Sequence, residues 1–210
     1  MPFNPVIIDY GVGNLLSVQR AFERIGVHAA ICADPGAVAA ADALVLPGVG
    51  AFRDAAKKLH ESGMDQQIQA FASLRRPLLG ICLGLHLLAR RSKENGDHEG
   101  LGLIDAEVVA LEPSEIDFRI PHMGWNSVTP RQGSDLFSNV PVGSDFYFVH
   151  SYQMKCANRD DVEATCTYGQ EFCCAVRSGN VMGLQFHPEK SQKFGRIVLE
   201  NFVRLAGTYT

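Results

Sequence analysis

Pro77-Leu-Leu-Gly-Ile-Cys-Leu-Gly-Leu-His86 seats one thiol at the point where an apolar strand breaks into a helix. Residues 77–81 are short, apolar and opened by proline, as expected of a parallel strand buried on both faces. From Gly84 onward a helix is expected, with Leu85, Leu88 and Ala89 on one apolar face. Cys82 then occupies the turn between Gly80 and Gly84, the Gly-x-nucleophile-x-Gly elbow with cysteine in place of serine. The glycines let neighbouring backbone approach closely, and the amides at a helix start favour a thiolate. A cysteine in this place also reads as a small buried hydrophobe, so the elbow needs a base.

The base lies near the other end, in Gly183-Leu-Gln-Phe-His-Pro-Glu-Lys190. Pro188 pushes His187 into extended geometry, and residues two apart in an extended segment share a side. Glu189 can therefore fix the tautomer of His187 and stabilise its imidazolium, leaving the other ring nitrogen for a nucleophile. The bland reading is a surface histidine followed by a solvated glutamate. Taken with the elbow, Cys82, His187 and Glu189 form the expected triad. Histidine suits the role because it holds a thiolate near neutral pH and returns a proton to a leaving amine.

Outward from the elbow, the first half of the chain alternates strand and helix. Strands are expected at 6–9, 28–33, 43–46 and 77–81, and a helix capped by Asn14 carries Leu15, Val18, Phe22 and Ile25 on one face. A long helical stretch runs from the Pro47-Gly-Val-Gly50 loop to about residue 73, interrupted near Gly63. This rhythm predicts an α/β fold, an open and mostly parallel sheet with helices on both faces. Beyond residue 101 strand signals at 108–111, 126–129, 146–149, 164–168, 174–177 and 181–186 predict an antiparallel extension. A closing helix over 194–205 is expected to pack back on the sheet. Ligands collect at the carboxyl edge of such a sheet, where the loops at Gly11, Gly48 and Cys82 emerge. The Pro47–Gly50 loop leaves amides free at that edge. The N–H of Val49 and the N–H of Leu83 are the expected pair of donors for a tetrahedral oxyanion, although a glycine turn into a helix would look the same.

The 210 residues are 46% hydrophobic and 20% charged, which predicts one globular domain over 1–210. A net charge of −4, with no basic run among aromatics, gives no reason to expect nucleic acid. Neither a secretion signal nor an apolar stretch of membrane-spanning length is present, so no membrane is expected. Six cysteines without a C-x-x-C pair read as reduced, cytosolic and metal-free. Proximity in sequence is the only support for His122 and His150 as metal ligands, and that reading is rejected. No cofactor is expected.

Asp9-Tyr-Gly-Val-Gly-Asn14, Leu46-Pro-Gly-Val-Gly50, Gly80-Ile-Cys-Leu-Gly84, Pro121-His-Met-Gly-Trp-Asn126, Phe148-Val-His-Ser-Tyr152 and Gly183–Gln192 together carry a resemblance. The chain resembles the class I (triad) glutamine amidotransferases, flavodoxin-like in fold, and more closely the family of glutaminase subunits of imidazole glycerol phosphate synthase. That resemblance implies that Cys82 attacks the side-chain amide of glutamine and that His187 protonates the departing ammonia. It further implies a glutamine pocket at Gly50, His150, Ser151 and Tyr152. The partner it implies is a (β/α)8-barrel cyclase contacted through Asn14, Pro121, Met123, Trp125 and Lys190. Without the resemblance, Met123 and Trp125 would read as core and Lys190 as merely solvated.

One position departs from the family: His86 stands where a substrate-contacting glutamine is usual. Glutamine binding is expected to survive there, perturbed, with a pH dependence as His86 titrates. Two competing functions fit the same residues. One is the same glutaminase serving a ligase that modifies a cell-surface sugar. The other is a non-enzymatic redox sensor built on Cys82, which the His187-Pro-Glu189 segment argues against.

Overall fold

Alternation along each buried strand decides which layer every side chain joins. In the computed structural model, which describes residues 3–112 and 118–209, the first strands are β1 (Pro5–Ile8), β2 (Ala30–Cys32), β3 (Ala43–Gly48) and β4 (Leu78–Cys82). They run parallel in the order β2-β1-β3-β4. Ile7, Val45, Leu79 and Ile81 point to one face, where helix α1 (Leu15–Glu23) packs with Val18 and Phe22. Val6, Ile8, Leu44, Leu46 and Leu78 point to the other. Against that second face lie α2 (Pro35–Val38), α3 (Phe52–Glu61) and α4 (Met64–Ser73). The period-two strand and the apolar helix stripe thus make two cores, one on each side of the sheet.

The helix expected after the elbow is cut short. α5 covers only Leu83–Leu87, and Ala89–Ser92 becomes strand β5. The reason is competition for carbonyls. The amides of Gly100, Leu101, Gly102 and Leu103 bond to the carbonyls of Arg90, Leu87, Ala89 and Leu88, which a further helical turn would have used. β5 pairs with β6 (His98–Glu99) and with β7 (Ile104–Ala110). The ion pairs Arg90–Asp105 and Arg91–Glu107, at 2.7 and 2.8 Å, lie along the second of these pairings.

The expected antiparallel extension is present. It comprises β8 (His122–Pro130), β9 (Ser144–His150), β10 (Tyr152–Cys156), β11 (Val162–Tyr168) and β12 (Gln170–Ser178). β13 (Val181–Leu184) joins it to the parallel half, pairing antiparallel with β12 and parallel with β4. α6 (Gln192–Ala206) returns under the sheet beside α1, burying Val198, Leu199 and Phe202. The strands β5, β6 and β10 and the one-turn α2 had no clear sequence signal, because each is short and flanked by charge or turns.

Candidate active site

β3 and β4 end side by side, with Gly48 registered against Cys82, so both loops emerge at one carboxyl edge. Cys82 itself has φ 55° and ψ −110°, the mirror image of an ordinary extended conformation and strained for any side chain. The glycines around it are sterically required. A Cβ at Gly84 would overlap the Leu46 carbonyl oxygen, and one at Gly80 would sit 2.7 Å from the Gly84 carbonyl oxygen. The elbow is therefore real, but the helix behind it is one turn long and its dipole is small. The amide dipoles contribute less to a Cys82 anion than the sequence led one to expect.

The imidazole takes over that task. His187 leaves β13 in extended geometry at the head of the Pro188–Lys190 turn, and its Nδ1 lies 2.8 Å from Glu189 Oε1. Both side chains are almost fully buried. Burial pushes the ring's pKa down, but the Cys82 sulfur and the Glu189 carboxylate outweigh it and hold it raised to about 9. Ser191, which sequence reasoning missed, braces the histidine: its hydroxyl donates to the His187 carbonyl at 2.6 Å and accepts from the Tyr147 amide at 3.0 Å. Its only signal was its place in the His187–Gln192 string.

The Cys82 sulfur is not aligned with the ring. Its thiol donates toward the Val149 carbonyl at 3.8 Å, and His187 Nε2 is buried with no hydrogen-bond partner among the described residues. The sulfur is nonetheless near enough to raise the ring's pKa, by hydrogen bonding first and by its charge second. Catalytic hydrogen bonds of this kind commonly tighten only with substrate bound.

We expect the His187 ring to titrate near pH 9, read by NMR of the ring resonances, and at lower pH in Cys82→Ser and in Glu189→Gln. A native midpoint near the ordinary 6.5 would refute the ion-pair geometry. A raised folded-state pKa stabilises the fold below about pH 6.5, and that contribution is lost as pH rises through about 9.

A cavity of about 260 Å³ opens over Cys82 and His187. Val49 and Leu83, the expected oxyanion donors, both line it, as do Gly50, His86, His150, Ser151 and Tyr152. Glu94 also lines it, and no sequence signal marked that residue. Its carboxylate caps helix α3, where Ala51 supplies no side-chain cap, by accepting the Phe52 amide at 3.1 Å. Tyr10 donates its hydroxyl to the Pro47 carbonyl at 2.9 Å and so anchors the Val49 loop from below. Burial, and then the nearby Cys82 charge, keep that phenol protonated. A larger cavity of about 570 Å³ lies between α3, α4 and β6, lined by charged side chains such as Arg53, Asp65 and Asp97. No serine, threonine or cysteine is among the residues lining it.

His86 corrects one expectation. Its Nε2 is held 2.7 Å from Gln185 Oε1, and burial lowers its pKa to about 4 despite that bond. The ring is neutral throughout the neutral range, so it supplies no pH dependence there.

Of the expected partner-contact residues, Pro121 lines the cavity mouth, while Met123 and Trp125 project outward from β8 at 62% and 48% exposure. The reading of those two as core is overturned. Trp125 meets Tyr147 edge-on, and Lys190 Nζ lies 5.3 Å from the same ring, so the exposed Trp125 and Lys190 cluster about the half-buried Tyr147 beside His187. Asn14 is exposed and caps α1, accepting the Ser17 amide.

The family model for class I glutamine amidotransferases matches residues 6–205. A protein of Rhodopirellula baltica named imidazole glycerol phosphate synthase subunit HisH is 50% identical over 198 residues, covering 93% of this chain and 95% of the relative. The like-named protein of Moorella thermoacetica is 50% identical over 205 residues, 96% of each chain. A crystal structure of a glutamine amidotransferase superposes with a TM-score of 0.76 over 96% of this chain and 98% of the other. At 20% identity that match bears on fold alone.

Proposed function

This chain belongs to the class I glutamine amidotransferase family, and from that premise we infer that it is the glutaminase subunit of an imidazole glycerol phosphate synthase, supplying ammonia for histidine biosynthesis. The observation that carries the chemistry is the buried His187–Glu189 pair, at 2.8 Å, set against Cys82 at the floor of a substrate-sized cavity. Cys82 attacks the side-chain amide carbon of glutamine as a thiolate, its proton already held by the His187 ring. The tetrahedral oxyanion is received by the amides of Val49 and Leu83. His187 then gives its proton to the leaving ammonia, and a thioester remains. Water attacks the thioester with His187 as base, releasing glutamate and the Cys82 thiol. Glu189 holds the ring in register.

Supporting groups follow from the cavity. Glu94 provides the carboxylate for the substrate's ammonium group, and the wall from His150 through Tyr152 faces its carboxylate. His86 offers a neutral ring where an amide is usual, held in place by the buried Gln185. The surface cluster of Trp125, the half-buried Tyr147 and Lys190, with Met123, is proposed to receive a (β/α)8-barrel cyclase, and Pro121 stands where that surface meets the cavity. The reaction is assigned to the cytoplasm; among the described residues no helix is long and apolar enough to cross a membrane. Relatives at half identity over nearly the whole length carry the synthase name, and the sugar-modifying alternative is not favoured.

The test is glutamate release by the purified chain, alone and with the cyclase subunit of the same cell. Slow turnover alone and strong stimulation by the cyclase with its ligand are expected. Equal rates with and without it would remove the partner from the account.

A further inference from the structure

Two buried histidines that take no part in the bond-making steps form a directed hydrogen-bond chain into the cavity wall. His122 and His150 are registered directly opposite one another on β8 and β9. His150 Nδ1 lies 2.8 Å from the Tyr152 carbonyl oxygen, which can only accept, so Nδ1 carries the hydrogen. A neutral ring has one N–H, so His150 Nε2 accepts, and its partner at 2.8 Å, His122 Nδ1, must donate. His122 Nε2 then accepts from the Asn126 amide nitrogen at 3.2 Å. Every donor points the same way, from Asn126 toward Tyr152. Protonating either ring would set two N–H groups against each other; burial first of all lowers His150 to about 3 and His122 to about 4.

The end of this chain matters because of the corner it spans. β9 pairs with β8, whereas β10 pairs with β7 and β12, and only Ser151 separates β9 from β10. Sheet pairing is therefore interrupted where the backbone passes the cavity, and the Ser151 carbonyl is held by the Leu111 amide. The His150 ring bridges the same corner from Nδ1 to the Tyr152 carbonyl. His150, Ser151 and Tyr152 all line the cavity, and the Val149 carbonyl receives the Cys82 thiol.

We propose that His122, which does not line the cavity, is a positioning residue for glutamine: its Nδ1–H holds His150 in the one tautomer that staples the Tyr152 carbonyl and so sets the substrate-facing wall. This rests on the glutaminase reading. His122 stacks on Phe148 and on Tyr168, with ring centroids 4.9 and 4.0 Å away, so packing and hydrogen bonding can be separated by substitution.

His122→Phe keeps a stacked ring and loses the donor; His122→Asn keeps a donor near the Nδ1 position and loses the stacking. In the complex with the cyclase subunit, the KM for glutamine should rise about tenfold in His122→Phe, roughly one lost hydrogen bond. It should stay within about threefold of native in His122→Asn, and kcat and the ammonium-driven rate should change little in either variant. Ring-nitrogen NMR should show His150 as the Nδ1–H tautomer in the native protein and as a mixture in His122→Phe. A native-like KM in His122→Phe, or equal impairment of both variants, overturns the proposal, as does an unchanged His150 tautomer. A native complex that fails to hydrolyse glutamine would instead defeat the glutaminase reading, and the NMR result would still judge the relay.

Discussion

Cys82→Ala in the complex with the cyclase should lower glutamine-driven synthesis by about 10⁴-fold or more, the scale of removing a triad nucleophile. Synthesis driven by added ammonium salt should stay within about twofold of native, because exogenous ammonia needs no thioester. Steady-state assays with each nitrogen source read both quantities. Loss of the ammonium-driven rate as well would mean that the substitution damages the assembly, and the nucleophile assignment would lose its support. The backbone adds a second comparison. Cys82 sits at φ 55°, a conformation open to glycine and strained for alanine. Cys82→Gly should therefore be as inactive as Cys82→Ala yet more stable than it by about 1 kcal/mol. A glycine variant less stable than the alanine variant would show that the elbow is not strained.

Gly84→Ala should be the most destabilising methyl-sized change near the site. The added Cβ would overlap the Leu46 carbonyl oxygen, which belongs to β3 and cannot turn aside without breaking the parallel pairing to β4. Overpacking against backbone of this kind costs about 3 kcal/mol or more, which for a chain of this size lowers Tm by about 10 °C. Gly102→Ala is the control. Gly102 has φ 66° and open space around its Cα, so only the conformational penalty of about 1 kcal/mol applies. Thermal melts of the two variants beside the native chain decide the matter. Equal Tm losses would mean that α5 does not press on β3 as described.

The elbow was legible because two glycines around a cysteine, after an apolar strand, leave few backbone solutions. The His187-Pro-Glu189 segment was legible because proline fixes the extended geometry that puts ring and carboxylate on one side. Both readings depend only on neighbours within a few residues. Helix α5 was misjudged for the complementary reason: Leu85, Leu88 and Ala89 have helical spacing, yet amides from residues 100–103 claim the carbonyls that a second turn requires. Glu94, Ser191 and the His122–His150 pair were missed or set aside because each acts on backbone or side chains far along the chain.

The chain of residues, by itself, determined the glycine-flanked turn at Cys82, the shared side of His187 and Glu189 and the alternation that builds two cores about one sheet, since these follow from local sterics and from side-chain periodicity. Only the tertiary structure decided how far the helix behind Cys82 runs, that His86 is a neutral partner of Gln185, that Met123 and Trp125 face outward, and that two histidines join end to end beside the cavity. Such outcomes depend on which distant group wins a given hydrogen-bond acceptor or buries a given ring, and that competition is settled only when the whole sheet has closed.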